Sequence, residues 1–259
     1  MDLGLEGRIA LVTGGSKGIG RACVEALLDE GARVCAVSRD VGPLAALVAS
    51  SAGRLTTWSA DLTSSAACAA AVEHCTDAFG PVEILVNCAG SAGLGQVLDL
   101  TREDVDSALA LKFHGYLRLA QLVAPGMAER GWGRIVNIAG SAGTSPTADN
   151  LPTSLANITV HNLTRALSDE LAPHGVLVNL VAPGVTLTDR AHDRFAQLAR
   201  EQGREGSDLL AEVSAAIPAG RAARPSEVAA VVCFLASQAC SYVHGSAIYM
   251  DGGSPRATP

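Results

Sequence analysis

Aromatic side chains are scarce in this chain of 259 residues. Phe, Trp and Tyr together make up 3%, although 48% of the residues are hydrophobic. The apolar surface is therefore carried by small and branched side chains, which suit helices packed closely on a parallel sheet. Basic charge is also in short supply: 19 Lys and Arg stand against 26 Asp and Glu, a net charge of −7. That balance argues against nucleic acid or an anionic membrane as a partner. No apolar run approaches the ~18 residues that a membrane span needs. The start, Met1-Asp2-Leu3-Gly4, lacks the basic-then-apolar pattern of a secretion signal, so the expected location is the cytoplasm. The seven cysteines are odd in number and form no C-x-x-C pair, so they read as buried free thiols in a reducing compartment. No linker, repeat or break in composition divides the chain. A single domain over 1–259 is expected, a length one α/β domain can fill.

What is present is an alternation of two patterns. Short Val/Ile/Leu-rich runs at Arg8–Thr13, Arg33–Val37, Leu55–Ser59, Glu83–Val86, Arg134–Ile138, Val176–Val181 and Ala247–Met250 read as strands buried on both faces. Helical stretches lie between them: Gly18–Glu30, Pro43–Ser51, Ser64–Phe79, Arg102–Glu129, Pro152–Ala172 and Ser226–Ser237. Ser64, Thr101 and the Pro225-Ser226-Glu227 triplet supply helix-start chemistry. The alternation predicts right-handed crossovers and an α/β, Rossmann-type doubly wound parallel sheet of about seven strands. One stretch, 188–220, breaks the rhythm. It is long, charged and helical in pattern, and it falls between the last two strands. An insertion there lies at the carboxyl ends of the strands, where such sheets bind ligands, and reads as a substrate lid.

The first strand runs into Thr13-Gly14-Gly15-Ser16-Lys17-Gly18-Ile19-Gly20, and a helix follows at once. Glycines allow a tight turn and close approach of the backbone to a pyrophosphate, whose charge the free N–H groups of the helix start can bind. Placed after the first strand of an α/β chain, the turn points to a dinucleotide site. In this T-G-x-x-x-G-x-G turn, in Asn87-Cys88-Ala89-Gly90, in Pro183-Gly184 and in Asp251-Gly252-Gly253, the sequence resembles the short-chain dehydrogenases/reductases, in their single-domain branch. The resemblance runs from Gly7 to Gly253. It implies phosphate contacts at Gly14, Ser16, Gly18, Ile19 and Gly20, and adenine contacts at Asp61 and Leu62. It implies further that Asn87, Ala89 and Gly90 flank the adenine ribose, and that Pro183, Gly184, Val185 and Thr188 hold the nicotinamide end.

Charge decides the cofactor. NAD sites place an acid at the end of the second strand for the ribose 2′-hydroxyl. Here Ser38 takes that position, Arg39 follows it, and Lys17 stands in the phosphate loop. Two cations without a carboxylate suit a 2′-phosphate, so NADP(H) is expected over NAD(H).

The resemblance also implies a hydride-transfer site built from a Tyr, a Lys four residues later, a Ser, and an Asn on an earlier helix. A phenol of pKa ~10 needs a nearby cation before it can serve as a base. At each of those places this sequence differs. Lys112 takes the Asn place, Gly140 takes the Ser place with Ser141 one residue late, Thr153 replaces the Tyr, and Asn157 replaces the Lys. The tyrosines are Tyr116, Tyr242 and Tyr249, and none has Lys at the fourth residue after it.

Three readings stay open on the sequence. An atypical NADP(H)-binding oxidoreductase of this family would act on a small or medium carbonyl or alcohol, with Lys112 as proton source or orienter beside Ser141, Thr153 or Asn157. Tyr116, one turn after Lys112, would give a relocated Tyr–Lys pair or simply belong to the core. Alternatively, a catalytically silent subunit would pair with an active relative. In the third reading, non-redox chemistry such as isomerisation, cyclisation or dehydration would use Lys112, His114 and Asp149. The expected partners are a small-molecule substrate and copies of the chain as a homodimer or homotetramer, with a hetero-oligomer containing an active family member as the other possibility.

Overall fold

The computed structural model describes residues 1–90 and 93–254. Seven strands form one sheet: β1 Ile9–Thr13, β2 Arg33–Ser38, β3 Leu55–Ser59, β4 Ile84–Asn87, β5 Gly133–Ile138, β6 Val176–Pro183 and β7 Ala247–Met250. Their order is β3-β2-β1-β4-β5-β6-β7, and every neighbouring pair is parallel. The chain therefore winds outward from β1 to one edge, returns, and winds to the other edge from β4. The carboxyl ends of β1 and β4 are the point where the winding reverses and the loops part to leave a crevice.

Among the described residues nine α-helices cover the faces: α1 Gly18–Asp29, α2 Ala45–Ser50, α3 Ser65–Phe79, α4 Arg102–Leu109, α5 Tyr116–Glu129, α6 Leu151–Leu171, α7 Asp189–Glu201, α8 Gly206–Ala216 and α9 Pro225–Ala236. Strands such as Ile-Ala-Leu-Val-Thr in β1 are buried at every residue, because both faces of a parallel sheet are covered. The apolar stripe of α1, Gly20, Cys23, Val24, Leu27 and Leu28, recurs at helical spacing and meets Val228, Ala229, Val232 and Cys233 of α9 in the core on one face. Each fully buried Leu there contributes on the order of 1.5–3 kcal/mol. The core on the other face gathers Leu11, Leu85, Leu119, Met127 and Ile135. The cysteines are free, and all but the half-buried Cys88 lie in the interior.

Helix starts follow the sequence signals. The Ser64 hydroxyl accepts the N–H of Ala67, and Thr101 and Asp104 form a reciprocal capping box. One expectation needs correcting. Arg102–Glu129 is not one regular helix, because a π-helical turn, Ala110–Gly115, separates α4 from α5. Gly115 there faces the Leu62 carbonyl, which a Cβ would meet at 3.2 Å. Such wide turns re-aim a side chain and recur at functional positions. This one carries Lys112.

In 188–220, α7 and α8 pack against each other through a small core of their own, built from Phe195, Ala199, Leu209 and Leu210. Among the described residues, no helix is long and apolar enough to cross a membrane.

Candidate active site

The loop after β1 is shaped by glycines. Gly14 and Gly18 have φ of 66° and 53°, backbone that L side chains avoid. A Cβ on Gly20 would lie 2.2 Å from the Gly14 carbonyl oxygen, so no other residue fits where α1 begins. Thr13 fastens this loop to its neighbour. Its hydroxyl accepts the N–H groups of Cys88 and Ala89 at 2.9 and 3.0 Å and donates to the Val86 carbonyl at 3.4 Å. The Ser16 N–H donates to the Ser38 hydroxyl at 3.2 Å, which joins the turn to the end of β2.

The charges around that junction are arranged for an anion. Lys17 and Arg39 are exposed, and neither enters an ion pair among the described residues. The adjacent carboxylate, Asp40, is spent on its own turn, accepting the N–H of Gly42 at 3.0 Å. Asp61 accepts the N–H and hydroxyl of Thr63. Those bonds, aided by Arg39, hold its carboxyl below the usual carboxylate range.

Other positions in this crevice present main chain. Leu62 is buried in the core, and its carbonyl accepts from the Cys68 thiol at 3.4 Å. Asn87 is fully buried. Its Nδ2 donates to Asn137 Oδ1 at 2.9 Å, Asn137 Nδ2 donates to the Thr164 hydroxyl, and that hydroxyl donates to the Val160 carbonyl. This amide chain braces β4 against β5 and α6. Ala89 and Gly90 follow on the half-exposed loop. Across the crevice, Pro183 closes β6, and Gly184 lies against Asp251, with its Cβ position 3.0 Å from the Asp251 Cα. The Val185 carbonyl accepts from the Ala223 N–H at 2.9 Å. Thr188 caps α7 through its hydroxyl, and its methyl faces Gly18, 3.1 Å from where a Cβ would be. The glycine cradle, the N-terminus of α1 and the open cations thus fit a phosphorylated dinucleotide. Ile19, half-buried on the first turn of α1, packs against the core beneath.

Beyond this crevice lies a cavity of about 480 Å³ lined by Gly90, Leu94, Lys112, Thr153, Asn157, Arg190, Arg194 and Gln197. The Lys112 ammonium donates to Asn157 Oδ1 at 2.6 Å and to the Ala139 carbonyl at 3.4 Å. Asn157 Nδ2 in turn donates to the Thr153 carbonyl at 2.9 Å, one helical turn back, so the amide is fixed from both ends. Burial brings the Lys112 pKa down to about 8, with a minor contribution in the same direction from the Arg190 charge. Burial raises the Cys88 thiol to about 12, which makes it inert at neutral pH. Gly140 completes the packing. A Cβ there would sit 3.1 Å from Asn157 Nδ2, so Asn157 uses the space that a side chain at 140 would take. The Thr153 hydroxyl donates to the Gly93 carbonyl at 3.1 Å.

The expected catalytic residues therefore divide. Lys112, Thr153 and Asn157 share the cavity wall, whereas Ser141, on the short turn Ser141–Gly143, is absent from the lining. Tyr116 is core: it is 1% exposed, its hydroxyl donates to the Ile138 carbonyl at 3.1 Å, and burial pushes its pKa well up. No relocated Tyr–Lys pair exists. Tyr242 is exposed, and Tyr249 is tilted against His161 on β7, so among the described residues no phenol lines the cavity. His114 and Asp149 are exposed and also stay outside the lining. Sequence reasoning missed Thr13, Arg190, Arg194 and Gln197. The three on α7 sit at i, i+4 and i+7, the spacing of one helix face, and only the fold shows which face turns inward.

A family model described as enoyl-(acyl carrier protein) reductase matches residues 14–254, nearly the whole chain. The chain belongs to the short-chain dehydrogenase/reductase family of oxidoreductases. Within this family, a D-threitol dehydrogenase of Mycolicibacterium smegmatis is 35% identical over 97% of this chain and 94% of the relative. An L-xylulose reductase of Bos taurus is 36% identical over 98% of both chains. Among solved structures, L-sorbose reductase of Gluconobacter frateurii, complexed with NADPH and L-sorbose, superposes over 100% of both chains with a TM-score of 0.94 at 29% identity.

Proposed function

We propose that this protein is an NADP(H)-dependent oxidoreductase for a small or medium carbonyl or alcohol, in which Lys112 carries the proton that family members move through a tyrosine. The observation that carries the reading is the 2.6 Å contact between Lys112 and Asn157 in the wall of the cavity. Family members place Asn on the earlier helix and Lys on α6. Here the two types have changed places, with Lys112 at the Asn position and Asn157 at the Lys position. An ammonium stays in the site but reaches it from the opposite wall, and the phenol is replaced by Thr153.

NADPH supplies the hydride when bound. The Gly14–Gly20 turn and α1 would hold its pyrophosphate, Lys17 and Arg39 its 2′-phosphate, and Gly184, Val185 and Thr188 its nicotinamide end. The NADPH held by the L-sorbose reductase of the same fold supports this choice. Thr153 is a poor acid because an aliphatic hydroxyl stays protonated at any working pH. A lysine with a pKa near 8 is well matched to proton transfer at neutral pH. Lys112 orients the substrate carbonyl by hydrogen bonding, then gives its proton to the alkoxide oxygen as the carbon is reduced. The neutral amine regains a proton from water in the cavity, while Asn157 and the Ala139 carbonyl hold it in line. The α7–α8 segment acts as the lid that encloses the substrate.

The test is NADPH oxidation with a panel of small ketones, measured against pH. Reduction needs protonated Lys112, so turnover falls as pH rises through about 8. Lys112→Met lowers turnover by roughly 10²–10⁴-fold, the usual contribution of a general acid, with NADPH affinity unchanged. Turnover indifferent to Lys112→Met removes the lysine from the mechanism. Firm NADPH binding without turnover of any ketone returns the protein to the silent-subunit reading.

A further inference from the structure

The cavity wall carries charge of one sign. Of its eight lining residues, Lys112, Arg190 and Arg194 are basic and none is acidic, in a chain whose net charge is −7. The basic residues come from two elements that face each other across the space. Lys112 stands on the π turn, and the two arginines stand one helical turn apart on α7, with Gln197 the next residue along the same face. The opposite face of α7, Phe195 and Ala199, is committed to α8, which fixes the rotation of the helix and so the direction of the arginines. Arg190 is held in place by donating to the Gly90 carbonyl at 2.9 Å. The Arg194 charge acts weakly on the exposed Asp149, which lies outside the lining and whose carboxylate accepts from the Thr147 hydroxyl.

Gathering cations in a partly enclosed space costs free energy that an anion recovers. A neutral polyol would gain hydrogen bonds here but would leave the repulsion between Lys112 and Arg190 in place. We infer that the substrate of this site is an anionic carbonyl compound, one bearing a carboxylate or phosphate that Arg190 and Arg194 bind while Lys112 meets the carbonyl oxygen. The inference rests on the oxidoreductase reading for the role of Lys112, and it adds the charge of the substrate. It sets this chain apart from the three proteins compared above, whose names refer to the neutral compounds threitol, xylulose and sorbose. The arginine fork supplies two parallel donors that match either a carboxylate or a phosphate. The two sources of negative charge therefore share one recognition chemistry.

Isothermal titration of the NADP⁺-saturated protein distinguishes them. Acetone is compared with acetoacetate for the carboxylate arm, and fructose with fructose 6-phosphate for the phosphate arm. At least one anionic member binds tenfold or more tightly than its neutral counterpart, and the arm that shows the preference names the anion. Arg194→Gln and, separately, Arg190→Gln reduce the preference by at least threefold, and raising the salt from 50 to 300 mM weakens the anion but not the neutral compound. Arg194 is exposed, so its variant keeps the fold even if loss of the Arg190 bond loosens α7. Equal binding of charged and neutral partners in both arms overturns the inference, as does an anion preference that survives both arginine variants. Arginine variants that weaken NADPH alone also overturn it, because the cationic face would then belong to the cofactor. NADPH binding is read by fluorescence on the same samples. Its absence removes the oxidoreductase reading, whereas anion discrimination by the bare cavity still stands on its own result.

Discussion

The crevice between β1 and β4 and the cavity between α6, α7 and the π turn lie side by side but obey different rules. The crevice is shaped by backbone: glycines clear the turn after β1, the N-terminus of α1 opens onto it, and Lys17 and Arg39 stand exposed beside it. A backbone site fails when a Cβ intrudes and tolerates most other changes. In the cavity, everything depends on side chains that hold one another: Lys112 on Asn157, Asn157 on Thr153, and Gly140 leaving room for the amide. A change at one such position therefore bears on the others. Under the proposed function, binding a nucleotide and moving a proton are therefore separable properties of this fold.

The largest expected effect separates the two regions from the cofactor side. Gly20→Val drives a side chain into the Gly14 carbonyl, and NADPH binding falls at least a hundredfold in a fluorescence titration. The Lys112 pKa, followed by NMR of labelled lysine in the bare protein, stays near 8, because the cavity does not depend on that turn. If Gly20→Val shifts Lys112 as well, the two regions are one unit and the comparison breaks. A smaller effect sharpens it. Arg39→Gln removes one charge-assisted partner of the 2′-phosphate, worth about 1.5–3 kcal/mol. NADPH affinity drops by roughly tenfold to a hundredfold while NADH affinity stays the same. Equal losses for both nucleotides would assign Arg39 to the fold instead of to cofactor choice.

The family and its phosphorylated nicotinamide cofactor were legible in the sequence because their signals are local. A buried strand, a glycine turn and a helix start are contiguous, and each has its own physical meaning. The alternation of strands and helices likewise reached the doubly wound parallel sheet of seven strands, since parallel strands need crossovers of a single hand. The cavity was legible only as a set of positions. That Lys112, Thr153 and Asn157 converge followed from the family spacing, but the bond that joins Lys112 to Asn157 depends on a π turn that no periodicity announced. Arg102–Glu129 reads as one helix because the wide turn adds its residue without breaking the apolar stripe. Ser141, one residue past Gly140 on the short turn Ser141–Gly143, is not among the cavity-lining residues, which a count of positions alone does not show. Arg190 and Arg194 lie in the charged stretch 188–220, and the sequence does not say which of its faces turns inward; the packing of Phe195 and Ala199 against α8 fixes that. Thr13, at the end of a strand, gave no sign that its hydroxyl would receive two N–H groups from β4's loop.

The central claim is that the nucleotide is held next to a lysine instead of a phenol, and a crystal structure of the protein with NADP⁺ tests it most directly. The pyrophosphate is predicted over Gly18–Gly20, with the Lys112 amine the nearest titratable group to C4 of the nicotinamide and still bonded to Asn157. A tyrosine hydroxyl beside that ring, or a nucleotide seated away from the glycine turn, would contradict the account.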